Sequence, residues 1–130
     1  MAQIIIADDE VQYLDVFCEG MEALGHQAIG VTSGTQLIDQ LERRNFDIVF
    51  LDVIMEGGGA ITLTHEVSKI DPGLPIVILT GRLELLDSPV VSKGLRMARA
   101  SMPKTATLAE LGSMVRDIAR SSDRGSEDRT

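Results

Sequence analysis

The sequence predicts an α/β domain in which one five-stranded parallel sheet carries helices on both faces. Short, β-branched apolar runs alternate five times with stretches of helical period. The runs are nearly continuous in hydrophobicity, as strands covered on both faces are. The 130 residues, 44% of them apolar, suffice for one such core. Right-handed crossovers follow from the alternation.

The strand candidates are Ile4-Ile5-Ile6-Ala7, Ala28-Ile29-Gly30-Val31, Ile48-Val49-Phe50-Leu51 and Ile76-Val77-Ile78-Leu79. A fifth, Ala98 to Met102, is poor in β-branched residues and is placed by the rhythm. Between them, Leu14, Phe17, Met21 and Leu24 recur at helical spacing. Leu37, Ile38 and Leu41 form a shorter stripe behind Ser33, a predicted N-cap. Ile61, Leu63, Val67 and Ile70 predict a third helix, stopped by Asp71-Pro72-Gly73. A fourth lies between Leu83 and Leu95, with Asp87-Ser88-Pro89 as its start. Leu108, Leu111, Val115 and Ile118 mark the fifth, with Thr107 and Glu110 spaced as a capping box. Residues 1–120 read as one domain and 121–130 as a frayed, disordered polar tail with no effector domain after it.

Composition narrows the function. A net charge of −8 argues against direct nucleic-acid binding. Aromatics at 3%, with no Trp, argue against stacking sites for bases or sugars. The lone Cys18 forms no internal disulfide and is expected to be buried on a helix. No run is long enough to span a bilayer and no basic segment opens the chain, so a cytoplasmic protein is expected. His26 and His65 lack ligand-like spacing and read as surface residues. Gly57-Gly58-Gly59 reads as a flexible loop, since the lysine of a phosphate-binding loop is missing.

Open parallel sheets bind ligands beyond the carboxyl ends of their strands. The first strand ends in Asp8-Asp9-Glu10, the third in Asp52, the fourth in Thr80-Gly81 and the fifth in Pro103-Lys104. Converging carboxylates repel one another unless a cation sits among them, and hard oxygen ligands suit Mg²⁺. With Thr80 and Lys104 opposite, such a site cradles a phosphoryl group, and Asp52 is the candidate nucleophile for an aspartyl phosphate.

These residues resemble the receiver domain of two-component response regulators, over about residues 3 to 120. The resemblance implies a flavodoxin-like (βα)5 fold with strand order 2-1-3-4-5. It implies Mg²⁺ held by Asp9 directly, Asp8 largely through water, Asp52 and the backbone carbonyl of Ile54. It makes Asp52 the phosphoacceptor, Thr80 the switch hydroxyl and Lys104 the phosphate-pairing lysine. It implies a histidine kinase or phosphotransfer protein as donor, and a downstream protein met through the surface of helix four, strand five and helix five. A homodimer through that surface is a further expectation, and no metabolic activity is expected. Some positions depart from the family: Glu56 stands where proline commonly follows Met55, Thr105 where proline follows the lysine, and Ser101 at the switch aromatic. A non-proline residue at 105 predicts a trans bond after Lys104, or a rearranged loop there. Thr105 and Ser101 motivate the alternative, a pseudo-receiver that acts as an interaction module in which phosphorylation is weak or absent. A flavin carrier of similar topology is disfavoured by the acidic first loop and the scarcity of aromatics.

Overall fold

The structure, a computed structural model, describes residues 1–53, 59–82, 84 and 87–128. Ile54, Met55, Glu56, Gly57, Gly58 and Leu83 lie outside the described residues. Ten elements alternate along the chain: β1 Gln3–Ala7, α1 Val11–Ala23, β2 Gln27–Val31, α2 Gly34–Arg43, β3 Ile48–Asp52, α3 Ala60–Ile70, β4 Ile76–Thr80, α4 Pro89–Gly94, β5 Ala100–Pro103 and α5 Leu108–Asp128. The strands form one sheet in the order β2-β1-β3-β4-β5. Every pairing is parallel, with Ile5 beside Ile29 and Val49, and Phe50 beside Val77.

The unbroken apolar runs are divided by the strand period of two. Ile4 and Ile6 of β1, Ile48 and Phe50 of β3, and Val77 and Leu79 of β4 face one way. There they meet Leu14, Phe17 and Met21 of α1 and Leu111, Val115 and Ile118 of α5. Ile5, Val49, Leu51, Ile76 and Ile78 face the other way, onto Leu37 and Leu41 of α2, Leu63 and Val67 of α3, and Leu95. β3 and β4 are buried along their whole length. The edge strands differ: β2 is buried only at Val31, and β5 has no fully buried residue. Each has one neighbouring strand, so the double cover expected of β2 is incomplete.

Local signals place the helices. Ser33 Oγ accepts the Gln36 N–H at 3.2 Å, and Gln36 Oε1 accepts the Thr32 N–H at 2.8 Å. Thr107 Oγ1 accepts the Glu110 N–H at 3.1 Å while Glu110 Oε1 accepts the Thr107 N–H at 2.9 Å, a reciprocal capping box. Pro89 opens α4 behind Ser88, and α3 ends at Ile70, before Asp71. Leu24, counted in the stripe of α1, instead follows the helix and is half-exposed, as Leu108 is at the start of α5. α5 runs through Asp128, so helix extends into the segment read as a tail. No proline interrupts that stretch. Cys18 is half-buried rather than buried, and burial, with Glu22 and Asp15, pushes its thiol up to about 11. No helix among the described residues is long and apolar enough to cross a membrane.

Two close contacts generate predictions. A Cβ on Gly30 would lie 3.2 Å from Leu14 Cβ, an atom fixed to the backbone of α1. Gly30 thus lets α1 settle onto β2. Gly30→Val is expected to cost about 1–3 kcal/mol by overpacking, read as a lower urea midpoint with unchanged slope.

At the opposite end of the sheet, the Ala2 N–H donates to His26 Nδ1 at 3.0 Å, so this nitrogen must be unprotonated. Burial, the N-terminal ammonium and Arg116 hold the His26 pKa below its ordinary 6.5. As pH falls through about 6.5, the unfolded chain takes the proton before the folded one does. The stabilising contribution is therefore complete above that pH and fades below it, towards the lower folded value. Urea unfolding at pH 7.5 and pH 5.5 should show this loss in wild type, and a smaller loss in His26→Gln.

Candidate functional site

The carboxyl ends of β1, β3, β4 and β5 meet at one edge of the sheet. The register sets Ala7 beside Leu51, Asp52 beside Leu79 and Thr80 beside Pro103. Asp8 and Asp52 consequently emerge side by side, and Lys104 follows immediately beyond Thr80. One carboxylate oxygen from each of Asp8, Asp9 and Asp52 lies within 4.8 Å of the other two. Asp8 is 0% exposed and Asp52 8%, whereas Asp9 faces solvent. Asp8 Oδ1 accepts the Glu10 N–H at 2.9 Å, which fixes the loop entering α1.

Lys104 supplies the opposing charge. Its Nζ lies 2.6 Å from Asp8 Oδ2, 2.6 Å from Glu10 Oε1 and 4.0 Å from Asp52 Oδ2. The contact with the buried Asp8 Oδ2 is one of charge rather than a well-directed hydrogen bond. Burial alone would lower the Lys104 pKa. The close approach of Asp8 and Glu10, with the negative charge of Asp52 behind them, outweighs burial and holds it well above its ordinary value. Lys104 is therefore a cation at any physiological pH.

Tyr13, in the first turn of α1, lies beneath the ammonium, whose Nζ is 4.6 Å from the ring centroid. Tyr13 leans on Phe17, with centroids 6.3 Å apart. Phe17 in turn meets Phe50 of β3 edge-on at 4.9 Å. Three rings thus connect the core to the site cation. Desolvation is the main cause of the raised Tyr13 pKa. Lys104 opposes it, and Asp8, Asp52 and Glu10 reinforce it.

Thr80 is buried at the end of β4. Its Oγ1 accepts the Arg82 N–H at 2.9 Å and donates to the Arg82 carbonyl at 3.1 Å, so the hydroxyl is tied to the loop leaving β4. No peptide bond among the described residues is cis, so the bond after Lys104 is trans, as Thr105 predicts. Asp8, Asp9, Asp52, Thr80 and Lys104 therefore reach the same edge, while Ile54 lies outside the described residues. Glu10 and Tyr13 went unnoticed in the sequence as partners of Lys104. Glu10 is visible there only as a third acid after a strand, and nothing nearby signals a lysine 94 positions away.

The sequence matches the family model described as "Response regulator receiver domain" over residues 4–116. Among curated proteins, the chain is 27% identical over 77 residues to the transcriptional regulatory protein ZraR of Escherichia coli O157:H7, covering 59% of this chain and 18% of that protein. It is 27% identical over 114 residues to the DNA-binding transcriptional regulator NtrC of Azospirillum brasilense, covering 88% of this chain and 23% of that one. The chain thus spans about a fifth of the length of these curated relatives. Among solved structures, a CheY-like response regulator receiver domain protein from Methanospirillum hungatei superposes with a TM-score of 0.87 at 18% identity, covering 94% of this chain and 96% of that one. At that identity the likeness concerns the fold. With the match to the family model covering most of its length and a flavodoxin-like sheet in the order 2-1-3-4-5, this chain belongs to the response regulator receiver domain family of two-component systems.

Proposed function

We propose that the strand-end cluster takes up a phosphoryl group on Asp52 in the presence of Mg²⁺, and that the chain signals through that modification. The observation that carries this reading is the gathering of Asp8, Asp9 and Asp52 oxygens within 4.8 Å, with the Lys104 ammonium 4.0 Å from Asp52.

The donor set suits Mg²⁺. Three hard carboxylates come from two strand ends, and one of them, Asp9, opens to solvent, leaving room for the waters this ion retains. Asp9 and Asp52 would ligate it, Asp8 would act through water, and the Ile54 carbonyl would complete the protein's share. When bound, the ion supplies positive charge to the phosphoryl oxygens.

The remaining chemistry belongs to the chain. A carboxylate oxygen of Asp52 attacks the phosphorus of a phosphohistidine on a histidine kinase or phosphotransfer protein. A P–O bond forms, the P–N bond breaks, and its electron pair stays on the imidazole nitrogen. Lys104, close beside Asp52, offsets charge on the transferred group. Thr80 donates to a phosphoryl oxygen by turning its hydroxyl away from the Arg82 carbonyl. That turn releases the loop between β4 and α4, coupling the phosphoryl group to the surface of α4, β5 and α5. A downstream protein, or a second copy of the chain, is met there. The chain is read as cytoplasmic, with phosphorylation and its reversal as its only chemistry.

The second reading is an interaction module that is not phosphorylated. Ser101 favours it, because this exposed β5 residue offers no ring to follow the movement of Thr80.

Incubation with Mg²⁺ and acetyl phosphate should add the mass of one phosphoryl group to wild type and none to Asp52→Asn. No gain in wild type would establish the second reading.

Asp9→Asn tests the cation separately. Asp9 is exposed, so the variant should melt like wild type without Mg²⁺. In wild type, Mg²⁺ at tenfold excess over its Kd should stabilise by about 1.4 kcal/mol, raising Tm by a few degrees. The variant should lose most of that rise.

A further inference from the structure

The carboxylates around Lys104 share it unequally. Glu10 Oε1 and Asp8 Oδ2 each lie 2.6 Å from Nζ, whereas Asp52 Oδ2 lies 4.0 Å away. The Glu10 side chain is 65% exposed, so burial does not force it onto the ammonium. Its backbone is anchored by the N–H bond to Asp8 Oδ1, and from there the side chain reaches back over the site. Tyr13, three residues further on, lies beneath the same ammonium. One short segment, from Asp8 to Tyr13, therefore grips Lys104 on the β1 side.

We propose that Glu10 is a positioning residue that latches Lys104 towards β1 and thereby restrains phosphoryl uptake by Asp52. The inference rests on Asp52 being the acceptor. Two effects act in the same direction. Glu10 takes part of the positive charge that would otherwise serve the phosphoryl oxygens. It also sets a carboxylate 2.6 Å from Nζ, where it repels the arriving group. Because the Glu10 end of the pair is open to solvent, its effect is modest, so the latch tunes the rate and does not abolish uptake.

The sequence contains a reporter. Tyr13 is the one tyrosine and there is no tryptophan, so ultraviolet-excited protein emission comes from the ring that touches Lys104. Glu10→Gln keeps the size of the side chain and removes its charge. With Mg²⁺ saturating and acetyl phosphate as donor, Glu10→Gln is expected to be phosphorylated about two- to fivefold faster than wild type. Without any donor, its Tyr13 emission should shift in the same direction as that of Lys104→Met, a signature that a merely structural role for Glu10 would not produce. Unchanged Tyr13 emission in Glu10→Gln overturns the latch. If wild type is phosphorylated and Glu10→Gln is no faster, the restraint falls and Asp52 remains the acceptor. If wild type takes up no phosphoryl group, the acceptor reading falls and the restraint with it.

Discussion

A carboxylate buried at the end of a central strand is the constraint on which this site depends. Asp8 has no exposure to water, and leaving its charge uncompensated would cost several kcal/mol. The compensating ammonium belongs to Lys104, which follows β5, with β3 and β4 between it and β1 in the sheet. The ion pair therefore reaches across the top of the sheet and passes Asp52 on the way. Asp8 and Lys104 require each other, and Asp52 lies close to the line that joins them.

The rest of the structure holds this line in place. Ile6 and Ala7 precede Asp8, and Phe50 and Leu51 precede Asp52, all four fully buried. A slip of one residue in either strand would turn its acid into the core. On the helical side, Phe50, Phe17 and Tyr13 form a continuous run of rings from sheet to ammonium. The rigidity of the core thus extends to the site cation through side chains in direct contact.

The fold was legible because its determinants are local. Period-two sorting of Ile4, Ile5 and Ile6, the Ser33 cap and the Thr107–Glu110 box all act within a few residues. The acids were legible because each ends a recognisable strand. The hold of Glu10 on Lys104 was not, since it joins residues 94 positions apart and depends on how one exposed side chain curls. The half-exposure of β2 and β5 follows from strand order, which no single run encodes. Leu24 and Leu108 match helical spacing but fall at helix ends, where each lies over a glycine of the neighbouring helix, Gly112 and Gly20, and keeps its outer side in water.

Thr105 replaces a residue that would otherwise restrict the turn after Lys104, yet the lysine does not depend on proline for its aim. The Lys104 N–H donates to the Thr80 carbonyl at 2.8 Å, continuing the β4–β5 ladder one step past the strand. The Ala106 N–H donates to the Pro103 carbonyl at 3.0 Å, closing a tight turn with Lys104 at its second position. Pro103, at the first position, limits backbone freedom just ahead of the lysine. Gly81 leaves the neighbouring space open: a Cβ there would lie 3.9 Å from Lys104 Cδ, in ordinary contact with the stem. Ladder, turn and stem fix where the side chain starts, and Asp8, Glu10 and Tyr13 fix where it ends. A residue held at both ends keeps its direction through a change of the residue after it, whereas losing the charge of Glu10 loosens the end that faces the reacting carboxylate.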